Sequence, residues 1–223
     1  MKLIILNHKM NLYYEDVDNY ITNINKINRN LIIAPSSIYL IEFLKKCRHL
    51  IASQDICYID EGNQTGKISW KQISHLGIKY SIIGHSEKHD DIDKVNTKLN
   101  VCLSNNIKPI LCITNNNMDE DIINVLKKID INNIENVIFA YEPIFNIGAD
   151  YVDIDYIKHE IIKMHNYLND KYKTKPTIIY GGGINQDNIN EIYNIELLSG
   201  IMIGGISANI QEIEKLLLMI NEK

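Results

Sequence analysis

The chain has 223 residues, 45% of them hydrophobic and 23% charged, with a formal net charge of −5. This composition excludes a disordered chain, its acidity gives no general attraction to nucleic acid, and no apolar run approaches the length of a membrane span. Cys47, Cys57, Cys102 and Cys112 show no close C-x-x-C spacing, so they indicate neither a zinc site nor a redox pair; four free thiols fit a reducing compartment. The first apolar run is too short for a signal peptide and stops at Asn7-His8-Lys9, so a cytoplasmic location is expected. The length fits one domain, residues 1–223.

In chain order, short β-branched runs alternate with longer amphipathic ones. The runs at 2–6, 31–34, 50–53, 79–83, 108–112, 137–141, 176–180 and 199–203 read as strands. Between them, 15–27, 37–47, 92–105, 118–129, 154–171 and 210–220 carry apolar residues at helical spacing. Eight such units in one domain's length imply an α/β fold closed into a (β/α)8 barrel, with a doubly wound open sheet as the alternative. The stretch Thr114-Asn115-Asn116-Asn117 reads as a polar loop.

The unusual residues fall just after the expected strands. Lys9 follows the first, His85 the fourth, Glu142 the sixth, Gly181-Gly182-Gly183 the seventh and Gly204-Gly205 the eighth. In a barrel those loops share one face, where active sites of this architecture are built. Taken singly, each has a plainer meaning: a solvated lysine, a hydrogen-bonded rim histidine, a surface glutamate, a turn glycine. Together they point to chemistry. Glu142 ends a buried strand and opens a loop stiffened by Pro143 and ended by Gly148, which suits an acid–base carboxylate beneath a lid. Glycines at 181–183 and 204–205 let backbone N–H groups approach a phosphate closely.

The stretch Ala140 to Gly148 resembles the "AYEPVWAIG" of the triosephosphate isomerase family, six letters of nine being shared. Asn7-His8-Lys9-Met10-Asn11 is similar to the family's "NWKMN", Gly84-His85-Ser86-Glu87-Lys88 to "GHSER", Tyr180-Gly181-Gly182-Gly183 to "YGGS", and Gly204-Gly205 to the close of "GFLVGG". The resemblance runs from Leu3 to Ser207. It implies an isomerase of triose phosphates with no metal and no organic cofactor. Glu142 would be the base, His85 a neutral hydrogen-bond donor, and Lys9 the electrostatic stabiliser. Asn7, Gly148, Gly183, Gly204 and Gly205 would bind substrate, with Glu87 pairing Lys9 and Tyr180 bonding the lid near its second hinge. The loop 56–69 has the length of the family's interface loop, and Thr65 matches its tip, so a homodimer is implied. A phosphate-binding barrel without catalysis, or another phosphate-site barrel enzyme, would share the glycine turns.

The chain departs from the family pattern at several points. His8 stands for tryptophan. Lys67 and Lys88 stand where a glutamate and an arginine commonly pair, so that contact must differ. Gly183 stands for serine and Asp150 for glycine, which removes a lid contact. Gly183→Ser is therefore expected to tighten a phosphate-bearing inhibitor by about two- to tenfold, unless residue 183 takes a positive φ.

Overall fold

The structure, a computed structural model, describes residues 2–149 and 151–220. Eight parallel strands close into one barrel in sequence order: β1 (Leu3–Asn7), β2 (Leu31–Ala34), β3 (Leu50–Ser53), β4 (Tyr80–Ile83), β5 (Lys108–Ile113), β6 (Ile138–Tyr141), β7 (Thr177–Tyr180) and β8 (Gly200–Ile203). The ring closes where Ile4 and Ile5 of β1 lie beside Ile201 and Met202 of β8. The open-sheet alternative is thereby removed, and each strand lies within about one residue of its expected place.

Among the described residues, eight α-helices lie between or after the strands: α1 (Tyr14–Ile24), α2 (Leu40–Lys46), α3 (Trp70–His75), α4 (Ile92–Ser104), α5 (Ile122–Lys127), α6 (Ile154–Tyr172), α7 (Ile189–Tyr193) and α8 (Ile210–Met219). α3 and α7 are too short to display helical periodicity, which is why the sequence does not announce them. Ser69 begins α3 with a reciprocal cap, its hydroxyl accepting from the Gln72 N–H while the Gln72 side chain accepts from the Ser69 N–H. α5 is shorter than expected because Asp121 caps it, taking the Ile123 N–H at 3.1 Å.

Strand alternation divides the core in two. Ile5, Ile32, Ile82, Ile110, Ile138, Ile179 and Met202 fill the barrel interior with the smaller Ala34, Ala52, Cys112 and Ala140. The opposite strand faces, including Leu6, Ile33, Leu111, Phe139 and Ile178, pack on the helices. Each such aliphatic side chain contributes about 1.5–3 kcal/mol by leaving water. The filled interior leaves only the strand ends for a site.

Candidate active site

Glu142 is set by the strand that precedes it. Its N–H donates to the Ile113 carbonyl at 2.9 Å, extending the β5–β6 ladder by one residue. Pro143, with no N–H to give, stops the ladder there. The carboxylate is 5% exposed; its Oε1 has no hydrogen-bond partner, and its Oε2 lies 3.6 Å from His85 Nε2. Burial raises its pKa to about 7, against the Cys112 thiol and the Lys9 ammonium, which lower it. Burial also pushes the Cys112 thiol well above its ordinary range.

His85 leaves β4 just before a 3-10 turn over Ser86–Lys88. Its Nδ1 accepts the Glu87 N–H at 3.2 Å, so the proton of the neutral ring sits on Nε2, facing Glu142. Burial lowers its pKa; the Glu87 carboxylate works against this and the Lys9 ammonium reinforces it.

Lys9 has a left-handed backbone, φ 52°, which costs a side-chain-bearing residue about 1–2 kcal/mol. Its neighbours hold it there. Its N–H donates to Asn7 Oδ1 at 3.2 Å, and its carbonyl accepts from Gln54 Nε2 at 2.8 Å. Its Nζ lies 2.6 Å from Glu87 Oε1. Gln54 also reaches the Ala34 carbonyl at 2.9 Å. Nothing in the sequence around Gln54 marks it as the support of Lys9.

Asn7, Lys9, Glu142, Gly148, Gly183, Gly204 and Gly205 line one cavity of about 310 Å³. His85 touches it through Glu142. Glu87 reaches it through Lys9, and Tyr180 lies behind the glycine turn. Thr65 does not line it; the residue is exposed on the loop between β3 and α3. Gly181 must be glycine, because a Cβ there would lie 2.9 Å from Glu142 Cγ.

Several expectations change on contact with the structure. Tyr180 Oη accepts from Asn146 Nδ2 at 2.9 Å, so its partner directly follows the expected first hinge, Pro143–Phe145, and is not near the second, Tyr151–Asp153. Gly183 has φ 54°, and a Cβ on it would lie 2.6 Å from the Asn146 carbonyl oxygen. Asp150 lies outside the described residues. The polar loop after β5 contains a buried anchor: Asn115 takes the Tyr141 hydroxyl at 3.2 Å, donates to Tyr156 Oη at 3.0 Å, and accepts the Ile144 N–H on its carbonyl at 3.0 Å. Lys88 is met by Asp55 at 3.1 Å, and the nearly buried Lys98 bridges Asp55 and Asp90, each at 2.5 Å.

His8 is fully buried and stacks edge-on against Tyr20. Tyr20 donates to the Ser207 carbonyl at 2.7 Å and receives the His8 Nε2–H at 2.9 Å. Burial pushes the His8 pKa down to about 3. A neutral ring thus links the strand end that bears Lys9 to the turn Gly205–Ala208 behind the glycine pair.

Fold and rim define the class: a (β/α)8 barrel whose rim brings a buried carboxylate, backed by an imidazole, and an ammonium to a glycine-lined cavity. A sequence profile described as Triosephosphate isomerase matches residues 2–220. Triosephosphate isomerase of Wigglesworthia glossinidia brevipalpis is 36% identical over 84% of this chain and 82% of its own. That of Mesomycoplasma hyorhinis is 33% identical over 89% and 86%, and that of Mycoplasma genitalium 30% over 94% and 95%. The chain belongs to the triosephosphate isomerase family.

Proposed function

We propose that the chain interconverts dihydroxyacetone phosphate and D-glyceraldehyde 3-phosphate by proton transfer through an enediolate. The observation that carries this reading is that Glu142 and Lys9 line one glycine-rich cavity while Nε2 of His85 lies 3.6 Å from the Glu142 carboxylate. Glu142 takes a proton from the carbon beside the carbonyl and returns one to the former carbonyl carbon. A carboxylate whose pKa is near 7 is well matched to both halves of that task. The Nε2–H of His85 donates to the substrate oxygens in turn, and Lys9 balances the charge that develops on them. Asn7 keeps the substrate in register, while the backbone N–H groups at Gly148, Gly183, Gly204 and Gly205 take the phosphate. Glu87 positions both Lys9 and His85.

The reading includes a single catalytic domain, a cytoplasmic location and a homodimer whose loop tip at Thr65 buttresses the partner's site. No helix among the described residues is long and apolar enough to cross a membrane. A coupled assay that consumes dihydroxyacetone phosphate formed from glyceraldehyde 3-phosphate tests the activity. Light scattering alongside an activity titration tests the dimer, and a fully active monomer would remove Thr65 from its role.

A further inference from the structure

Two departures from the family pattern meet at the lid: Asn146 in place of alanine and Gly183 in place of serine. The structure turns the two into one feature. Asn146 closes the 3-10 turn Ile144–Asn146 and, although it belongs to the lid, is only 4% exposed. Its Nδ2 donates to Tyr180 Oη at 2.9 Å, at the end of β7 and fully buried. The two residues also occupy the space above the glycine turn. A Cβ on Gly182 would lie 2.8 Å from Tyr180 Oη and 3.1 Å from Asn146 Cβ, and one on Gly183 would lie 2.6 Å from the Asn146 carbonyl oxygen. A side chain at 183 and the present seat of Asn146 are therefore mutually exclusive. The lid backbone at 146 takes this seat because residue 183 is glycine, and from it the Asn146 side chain reaches Tyr180.

We propose that Asn146 is a positioning residue that latches the lid to β7 through Tyr180, anchoring the lid at the residue that directly follows its first hinge, Pro143–Phe145. The placement matters for Glu142, four residues away across Pro143. The carboxylate arm lies against Gly181, where a Cβ would be 3.2 Å from Glu142 Cδ. A lid that swings out at Ile144–Asn146 pulls on Pro143 and withdraws that arm from His85. Holding Asn146 to Tyr180 favours the conformation in which Glu142 and His85 face each other. The bond is buried on both sides, so opening must break it without immediate replacement by water.

The kinetic part of this inference rests on the isomerase reading; the conformational part does not. The test is a cycle of Asn146→Ala, Tyr180→Phe and the double variant. Hydrogen exchange of the lid amides 144–149 is measured first, in ligand-free protein. Each single variant is expected to speed exchange there by about five- to tenfold, the double variant no more than either single, with the barrel strands unchanged. In steady-state assays with glyceraldehyde 3-phosphate, KM should rise by about three- to tenfold in each single variant, with a smaller change in kcat. 2-Phosphoglycolate should bind correspondingly less tightly. A merely structural role for Asn146 would lower melting temperature and protection throughout the barrel and leave KM in place. Unchanged lid exchange in a normally folded Asn146→Ala overturns the latch, as do additive effects in the double variant. If Asn146→Ala does not fold, Tyr180→Phe alone carries the same exchange criterion. Absence of isomerisation by the unmodified protein would count against the isomerase reading and leave the exchange result standing.

Discussion

Nε2 of His85 and Oε2 of Glu142 face each other across 3.6 Å, inside a cavity rim from which both side chains are almost hidden. Each has been moved by burial in the direction that suits proton transfer: the carboxylate up to about 7, the imidazole below its ordinary value. The proposed reaction needs Glu142 as the carboxylate and His85 as the neutral, singly protonated imidazole, and Glu142 is the last of the two to reach its form as pH rises. We therefore expect kcat/KM to fall tenfold per pH unit below about pH 7, with no separate limb from His85 at higher pH. A profile flat from pH 5 to 8 would separate the rate from Glu142.

The same burial has a cost to folding. A carboxylate whose folded pKa lies above its ordinary 4.5 contributes stability that is fully present below the unfolded value and lost as pH rises through about 7. Glu142→Gln removes the titration. It should stabilise the protein by about 1–3 kcal/mol at pH 8 and by almost nothing near pH 4. Denaturant unfolding at the two pH values checks this, and a gain independent of pH would refute the attribution to charge burial.

Asp55 meets Lys88 and shares the nearly buried Lys98 with Asp90. Asp55→Asn leaves Lys98 a single carboxylate and should cost about 1–3 kcal/mol, most of it from Lys98, since the more exposed Lys88 pair is worth little. An unfolding midpoint equal to that of the parent would show that Asp90 alone suffices.

Tyr20→Phe strands the Ser207 carbonyl and the His8 N–H inside the core. A loss of about 1–3 kcal/mol is expected. Adding His8→Phe should restore part of it, because one orphaned donor disappears with the ring nitrogen. Thermal melts of the two proteins decide the point; further destabilisation by His8→Phe would contradict the hydrogen-bonded chain.

Gly183→Ser should weaken binding of 2-phosphoglycolate, reversing the expectation from the family pattern. The left-handed φ of 54° disfavours any side chain, and its Cβ would press on the Asn146 carbonyl. Calorimetric titration gives the sign directly, and tighter binding would mean the lid yields to make room.

The barrel was legible because strand signals are local: isoleucine-rich runs bounded by polar turns mark themselves. Lys9, His85 and Glu142 were legible as candidates because each follows such a run by one or two residues. Asn115, Gln54, Tyr20 and Asn146 were not. Each acts through a partner remote in sequence, such as Tyr156, Lys9, Ser207 or Tyr180. An asparagine in a run of asparagines carries the signature of a solvated loop, and only the convergence of Tyr141 and Tyr156 buries it. Lys98 likewise reads as a surface lysine on a helix until Asp55 and Asp90 close over it.

The central claim is that Glu142 carries a proton between adjacent carbons of a triose phosphate. Incubating the protein with dihydroxyacetone phosphate in deuterium oxide and following the product by proton NMR tests it most directly. Glyceraldehyde 3-phosphate is expected, carrying deuterium at the former carbonyl carbon in those turnovers where the Glu142 proton exchanges with solvent before its return, and formed about 10²- to 10⁴-fold more slowly by Glu142→Gln. No product at all, or equal rates from the two proteins, would contradict the claim.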